Sequence, residues 1–412
     1  MAEGAGTRCC IAGGGPAGMM LGFLLARAGV PVVVLEKHAD FLRDFRGDTI
    51  HPSTLELMHE LGLLEAFLAR PHNDVLELSA QVGEARVVIA DFRHLPTRCK
   101  FLAVMPQWEF LNFLAERAQR YSTFDLRMRT EATGLIEEGG RVAGVRARGP
   151  EGELEIRADL VVSADGRHST LRPLAGLPGR AFGAPMDVLW MSLPRRADDP
   201  DETFGHIENG RMLVMINRGD YWQCAFVIPK GGFEALKARG LPAFRDELVA
   251  LTPALTDRVE GLRTWDDVKL LTVAVDRLER WYRPGLLCIG DSAHAMSPIG
   301  GVGVNLAIQD AVASANLLAA PLAAGALSLG DLERVQRRRE RPTRMTQKMQ
   351  IFIQDRVVGR ALQKRSGRVA LPVPLRLLRR FPVLRRIPAR LVGMGFRPEH
   401  VHTPEAASAL RR

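Results

Sequence analysis

Gly13, Gly15 and Gly18, with Pro16 and Ala17 among them, stand between an apolar stretch ending at Ile11 and a longer one running from Met19 to Ala28. The chemistry this spacing serves is the grip on a pyrophosphate. Gly13 permits a tight strand-to-helix turn, Gly15 lets the backbone approach the anion, and Gly18 lets the helix lie close on the strand. The helix N-terminus then offers amide donors and a positive dipole to the phosphates. Val32-Val33-Val34-Leu35 reads as a buried parallel strand ending in Glu36. A carboxylate about 20 residues beyond the glycines is placed to accept hydrogen bonds from an adenosine ribose. Glycines alone would be a weak signal, but strand, helix, strand and acid in register specify a dinucleotide site.

Two further segments refine the kind of dinucleotide. Ala158 to Ser163 is an apolar strand ending in Asp165-Gly166, ahead of a Ser/Thr-started helix. Gly290-Asp291-Ser292-Ala293-His294 continues through Pro298 to Gly301, Gly303, Val304 and Asn305. In this order and spacing, the three motifs resemble the single-component FAD-dependent aromatic hydroxylases, the family of p-hydroxybenzoate hydroxylase, over about 350 residues. That resemblance implies that Asp291 bonds the ribityl chain of FAD and that Pro298, Gly301 and Gly303 shape the face of the isoalloxazine ring. Val304 and Asn305 would start the next helix near the pyrimidine end of the flavin. Asp165 and Gly166 are associated in the family with FAD and with transient nicotinamide binding. Arg46, in Arg46-Gly47-Asp48, resembles the arginine-loop residue that contacts the cofactor, and Gln107 the polar residue that reaches the flavin phosphates.

Each of these residues also has a plainer reading. Asp165 and Asp291 sit at strand ends, where aspartate often caps a turn or helix. Arg46 could be a surface ion-pair residue and Gln107 an ordinary helix start. His294 reads as a hydrogen-bonded structural histidine. His51 is the catalytic candidate, because the arginine loop would bring it close to the flavin and an imidazole titrating near pH 6.5 suits a proton relay.

The 412 residues exceed one ordinary core, so two domains and an appendage are expected. The expected fold is α/β: a discontinuous Rossmann-like FAD-binding domain from residues 1–70, 100–182 and 280–350, with an inserted antiparallel-sheet substrate domain from 71–99 and 183–279. A basic helical C-terminal region, 351–412, follows. Five cysteines in no C-x-x-C spacing give neither a disulfide framework nor a metal site. The N-terminal apolar stretch lacks a cleavage pattern, and residues 311–330 read as a buried helix and loop; a cytoplasmic protein is expected.

The substrate face speaks less clearly. Arg211 to Asn217 and Tyr221 to Pro229 form a hairpin around Arg218-Gly219-Asp220. Alternation puts Leu213, Met215 and Asn217 on one side, and Trp222, Cys224 and Phe226 on one side of the partner strand, without saying which side faces the flavin. Trp190, Met215, Trp222 and Phe226 are expected to line a largely apolar pocket, packed core being the alternative, with His206, Asn209 and Tyr221 as polar neighbours. So few charges favour a larger aromatic or polycyclic substrate over a small acidic one.

Between Arg356 and Arg390 there are eleven Arg or Lys and no acid; removing them from the chain's 56 basic residues leaves 45 against 47 acidic. The excess charge is therefore local. Such basic amphipathic pieces, here within 356–390, lie on an anionic membrane surface or dock on their own domain with arginines in solvent. Nucleic-acid binding is not expected, since the rest of the chain is close to neutral.

The resemblance implies a cycle in which NADPH or NADH reduces FAD, O2 adds at flavin C4a to give a hydroperoxide, and one oxygen passes to an apolar aromatic or polycyclic substrate. A single fingerprint suits transient NAD(P)H binding and counts against reductases with two such domains. The alternative of the same fold is a membrane-peripheral isoprenoid or quinone hydroxylase, epoxidase or reductase. Flavin halogenases are disfavoured, because Cys224 to Pro229 keeps only the ending of their W-x-W-x-I-P segment.

Overall fold

Two sheets position the motif residues in the structure, a computed structural model describing residues 6–42, 49–200, 203–359 and 371–410. The first sheet has the order Tyr282–Arg283, Leu286–Cys288, Gly152–Ser163, Thr7–Ala12, Val32–Leu35, Phe124–Arg127. Its central pairs are parallel. Strands distant in sequence therefore meet so that the glycine turn, Asp165 and Gly290 all emerge from the carboxyl ends of neighbouring strands, where open α/β sheets bind ligands. The first half of Gly152–Ser163 also pairs antiparallel with Arg141–Gly149, which pairs with Glu131–Glu138. Helices Pro16–Arg27, Gln107–Ala118 and Val302–Ala323 pack together against the sheet, with Ile11, Leu24, Val34, Leu160 and Ile308 in one core.

Val302–Ala323 is long and apolar enough to cross a bilayer, but 72% of its apolar window is buried inside the protein. It is a core helix. Pro321 lies in its last turn, so the helix continues to Ala323 and ends beside Gly325. The five cysteines are free and buried.

The second sheet orders Lys269–Leu271, Met186–Pro194, Tyr221–Pro229, Arg211–Asn217, Phe204–Glu208, Glu77–Val82, Ala85–Asp91. One pair departs from the expected antiparallel pattern: Phe204–Glu208 runs parallel to Glu77–Val82, because these strands come from two separate insertions rather than a hairpin. Helices Phe233–Ala238 and Leu241–Leu251 cover one face. The edge strand Ala85–Asp91 is covered by two C-terminal helices, Val373–Arg380 and Arg386–Gly393. Covering an edge removes a template for unwanted strand pairing.

After Arg386–Gly393 the chain straps back over the first sheet. Arg27 Nη1 donates to the Thr403 carbonyl (2.7 Å), the Ala406 amide to the Arg27 carbonyl (2.8 Å), and the Tyr121 hydroxyl to Glu405 (2.7 Å).

Candidate cofactor and substrate site

The glycine turn is shaped by steric necessity. Gly13 has φ +109°, and a Cβ there would lie 2.4 Å from the Ala164 carbonyl oxygen. At Gly18 a Cβ would fall 1.9 Å from the Gly13 carbonyl oxygen. Gly15 differs: a Cβ would meet nothing within 4 Å, so the open space in front of it is room for a ligand. The helix opens with Pro16 and Ala17 and has no side-chain cap, which leaves its first amides for an external acceptor. Glu36 is buried beside this turn. Its Oε2 accepts from the Gly14 amide (3.1 Å) and its Oε1 from the His38 amide (3.0 Å), which fixes the carboxylate at the strand end.

The Asp-Gly and Gly-Asp segments are tied to each other. Ser163 Oγ donates to Asp165 Oδ1 (2.6 Å) and bonds the Ser292 hydroxyl. Asp165 Oδ2 accepts from the Thr170 and Leu171 amides (2.8 and 3.2 Å), so its side chain is the cap of the following helical turn. Gly166 has φ +83° with open space where a side chain would be. Asp291 is partly exposed and accepts from Arg167 Nη2 at 3.1 Å. Arg167 Nη1 is buried and has no partner among the described residues. An unpaired buried donor beside the crevice calls for an acceptor oxygen from a ligand.

Pro298 precedes the helical turn Ile299–Gly301, and Gly301, at φ +62°, could carry no Cβ without falling 2.5 Å from Thr49 Oγ1. Thr49 Oγ1 donates to the Gly301 carbonyl (3.3 Å), and Thr54 donates to Asn305 Oδ1, so the segment after the arginine loop is bolted to this turn. Gly303 and Val304 open helix Val302–Ala323. Gln107 is buried at the first position of helix Gln107–Ala118. Arg46 lies outside the described residues.

His51 is fully buried and precedes helix Pro52–Glu60. Its Nδ1 bonds the Val392 carbonyl at 2.7 Å, and a carbonyl only accepts, so Nδ1 carries the proton. Nε2 has no hydrogen-bond partner among the described residues and lies near Gly301. Burial, outweighing contacts with the Val392 and Gly301 backbone, pulls the pKa down to about 4. At neutral pH the imidazole is neutral. The expected titration near pH 6.5 is corrected downwards, because desolvation disfavours the cation.

The substrate residues need a second correction. Met215, Trp222 and Phe226 sit on the helix-covered face of the second sheet, almost completely buried. Phe226 packs edge-on to Phe244 at 5.4 Å and Trp222 Nε1 donates to Asp199 at 3.1 Å. They are core, because helices Phe233–Ala238 and Leu241–Leu251 claim that side of the pleat. His206 contacts Thr252 on the same side. Trp190 pairs with Ala225 on the opposite face, with Val188 and Val214. That face approaches the glycine loop, since Ile299 packs against Met186, Met212 and Val227. Half-buried Trp190 keeps an Nε1 with no partner among the described residues.

Sequence reasoning passed over Ser163, Arg167 and a buried charge cluster. Asp310, on helix Val302–Ala323, takes His294 Nε2 (2.6 Å) and the Gly290 amide (3.2 Å) on Oδ2, and Arg339 Nε (2.9 Å) on Oδ1. Burial alone would raise its carboxyl, but His294 and Arg339 hold it below the ordinary value. The available signal was an aspartate in an alanine-rich apolar helix, which must be paired if buried. His294 is buried and hydrogen-bonded to Asp310 through Nε2.

An uncapped helix start, cleared space at Gly15 and Gly166 and an orphaned Arg167 donor together fit FAD, and fold and site define a flavoprotein of the doubly wound nucleotide-binding kind. Residues 6–349 match the family model described as FAD binding domain, and the chain belongs to that family. It is 36% identical over 395 residues to 6-methylpretetramide 4-monooxygenase of Streptomyces rimosus, covering 95% of this chain and 93% of that one. Other curated relatives are matched over about three fifths of their own length. Among solved structures, OxyS anhydrotetracycline hydroxylase from Streptomyces rimosus superposes with a TM-score of 0.73 at 24% identity, over 94% of this chain and 76% of that one. PqsL, a probable FAD-dependent monooxygenase from Pseudomonas aeruginosa, gives 0.73 at 21% identity, over 88% and 98%. The protein is an FAD-dependent aromatic monooxygenase of the p-hydroxybenzoate hydroxylase-like class, with NAD(P)H as co-substrate.

Proposed function

We propose that this enzyme hydroxylates a polycyclic, polyketide-type aromatic bound between the Pro298–Gly303 loop and the loop-facing side of the seven-stranded sheet. The observation carrying this reading is the chemistry of that side: Trp190, Met212 and Val214 are partly exposed over buried Met186, Val188, Ala225 and Val227, and none of the seven carries a charge. A planar apolar ring system suits it, with the unpartnered Trp190 Nε1 donating to a phenol or carbonyl oxygen. The names of two similar proteins, a 6-methylpretetramide 4-monooxygenase and an anhydrotetracycline hydroxylase, point to the same substrate class.

In this reading FAD is held by Gly13, Gly15, Pro16, Ala17 and Gly18 at the pyrophosphate, by Glu36 at the ribose, and by Asp291, Arg46 and Gln107 along its length. Asp165 contributes by shaping the Gly166 turn. Pro298, Gly301, Gly303, Val304 and Asn305 frame the ring. Bound flavin supplies the redox chemistry with NAD(P)H and O2. The chain's own part is to orient the ring, exclude water and keep His51 Nε2 unprotonated beside Gly301. NADPH and NADH oxidation, followed with and without a panel of polycyclic phenols, checks the reading. Oxidation accelerated by that class supports it, whereas acceleration only by small benzoates contradicts it.

A second reading concerns the surface. Val373, Leu377, Phe381, Val383 and Ile387 are exposed apolar residues interleaved with Arg376, Arg379, Arg380 and Arg386. This favours peripheral contact with an anionic lipid surface, on which a lipid-like substrate would be met. Co-sedimentation of the full chain with anionic vesicles, lost when Arg376, Arg379 and Arg380 become serine, is expected; no sedimentation removes the membrane reading.

A further inference from the structure

The C-terminal strap reaches the cofactor loops at two separate points. Val392, in helix Arg386–Gly393, gives its carbonyl to His51 Nδ1, next to the Thr49–Gly301 contact. Seven residues later Glu399, buried at 4% exposure, receives Arg338 Nε (2.8 and 3.0 Å) and Nη2 (2.8 Å), and Arg339 Nη1 at 3.1 Å. Arg339 is 1% exposed and passes its Nε to Asp310, whose other oxygen holds the Gly290 amide and His294. Glu399 is thus joined to the Gly-Asp turn by consecutive bonds near 3 Å, although more than a hundred residues of chain separate them. Gln309, next to Asp310, also accepts from the Glu399 amide.

Buried ion pairs contribute little net stability compared with apolar packing, because desolvation offsets the attraction. Their physical consequence is geometric: a charge without its partner cannot remain buried, so each member fixes the position of the next. Gly290 gains most from such fixing. At φ +60° its backbone lies against Ala17 of the glycine helix and Ala307, and a Cβ there would come 3.3 and 3.1 Å from theirs.

We propose that Glu399 is a positioning residue for FAD, acting through Arg339 and Asp310 to hold the Gly290-Asp291 turn in its cofactor-binding conformation. This rests on the assignment of Asp291 as a flavin contact. The C-terminal strap is then part of the cofactor site, and its other anchors, such as Tyr121 to Glu405 at the far edge, serve only to hold the chain.

The test is FAD affinity of full-length apoprotein, read by quenching of flavin fluorescence, with thermal stability and the visible flavin spectrum recorded for each variant. Glu399→Gln is expected to raise the FAD dissociation constant about tenfold or more and to shift the bound-flavin spectrum. Glu399→Asp should restore most of the affinity, and Glu405→Gln should lower thermal stability without changing affinity or spectrum. If Glu399→Gln does not fold, Arg338→Gln, which removes only the outer partner, should weaken FAD about threefold. Unchanged affinity in both Glu399→Gln and Arg338→Gln, or an equal loss in Glu405→Gln, overturns the proposal. Asp291→Ala separates the two layers: if it retains FAD fully, the underlying contact assignment fails instead.

Discussion

Gly13 and Gly15 stand two residues apart and meet opposite constraints. At Gly13 the protein's own backbone forbids a side chain, whereas at Gly15 the protein leaves the space empty. Gly13→Ala should therefore lower stability by about 3 kcal/mol or more, visible in urea unfolding of the apoprotein. Gly15→Val should leave apoprotein stability within about 0.5 kcal/mol yet abolish FAD uptake on titration. His51 makes the pH prediction. Its folded pKa of about 4 lies below the ordinary 6.5, so the unfolded chain takes up the proton first as pH falls. The stabilisation is complete above pH 6.5 and is lost as pH falls towards 4, by an amount on the order of 3 kcal/mol. Urea stability of the apoprotein should fall over that window, and His51→Gln should flatten the fall between pH 6.5 and 5. The glycines, Glu36 and the two Asp-Gly motifs were legible because local spacing encodes them. The lowered titration of His51 was not, since it arises from burial under elements far away in sequence, such as the helix that carries Val392.

At the scale of elements, the second sheet separates periodicity from orientation. Alternation put Leu213 and Met215 on one side of their strand and Cys224 and Phe226 on one side of the partner; the register brings the two sets together, and the hairpin turns where Arg218-Gly219-Asp220 predicts. Which face looks at the cofactor depends on what covers the other one. Phe233, Leu236, Leu241, Phe244 and Leu248 held that information, as their helical spacing requires an apolar surface to lie upon. The resulting contrast is testable in one pair of variants. Phe226→Ala should cost about 3–5 kcal/mol in stability and leave the substrate KM of surviving folded enzyme nearly unchanged. Trp190→Leu should perturb stability less and raise KM for polycyclic substrates; the reverse pattern would reassign the faces.

Across the whole molecule, the sequence separates a near-neutral enzyme from a basic C-terminal stretch, and both features persist in the fold. Less legible was that the stretch is held at both ends. Its helices cover the edge strand Ala85–Asp91, and the strap beyond them meets Asn316, Glu60, Arg27 and Tyr121. Contacts between residues hundreds of positions apart have no local sequence signature, and Glu399 by itself looks like any surface glutamate. The central claim, that this assembled frame transfers one oxygen atom of O2 to a polycyclic aromatic, is tested most directly by turnover under isotopically heavy O2 with NAD(P)H and mass spectrometry of the product. One heavy oxygen atom per product, with none incorporated from heavy water, is the predicted result. A reduced or unlabelled product, with NAD(P)H consumed, would contradict it.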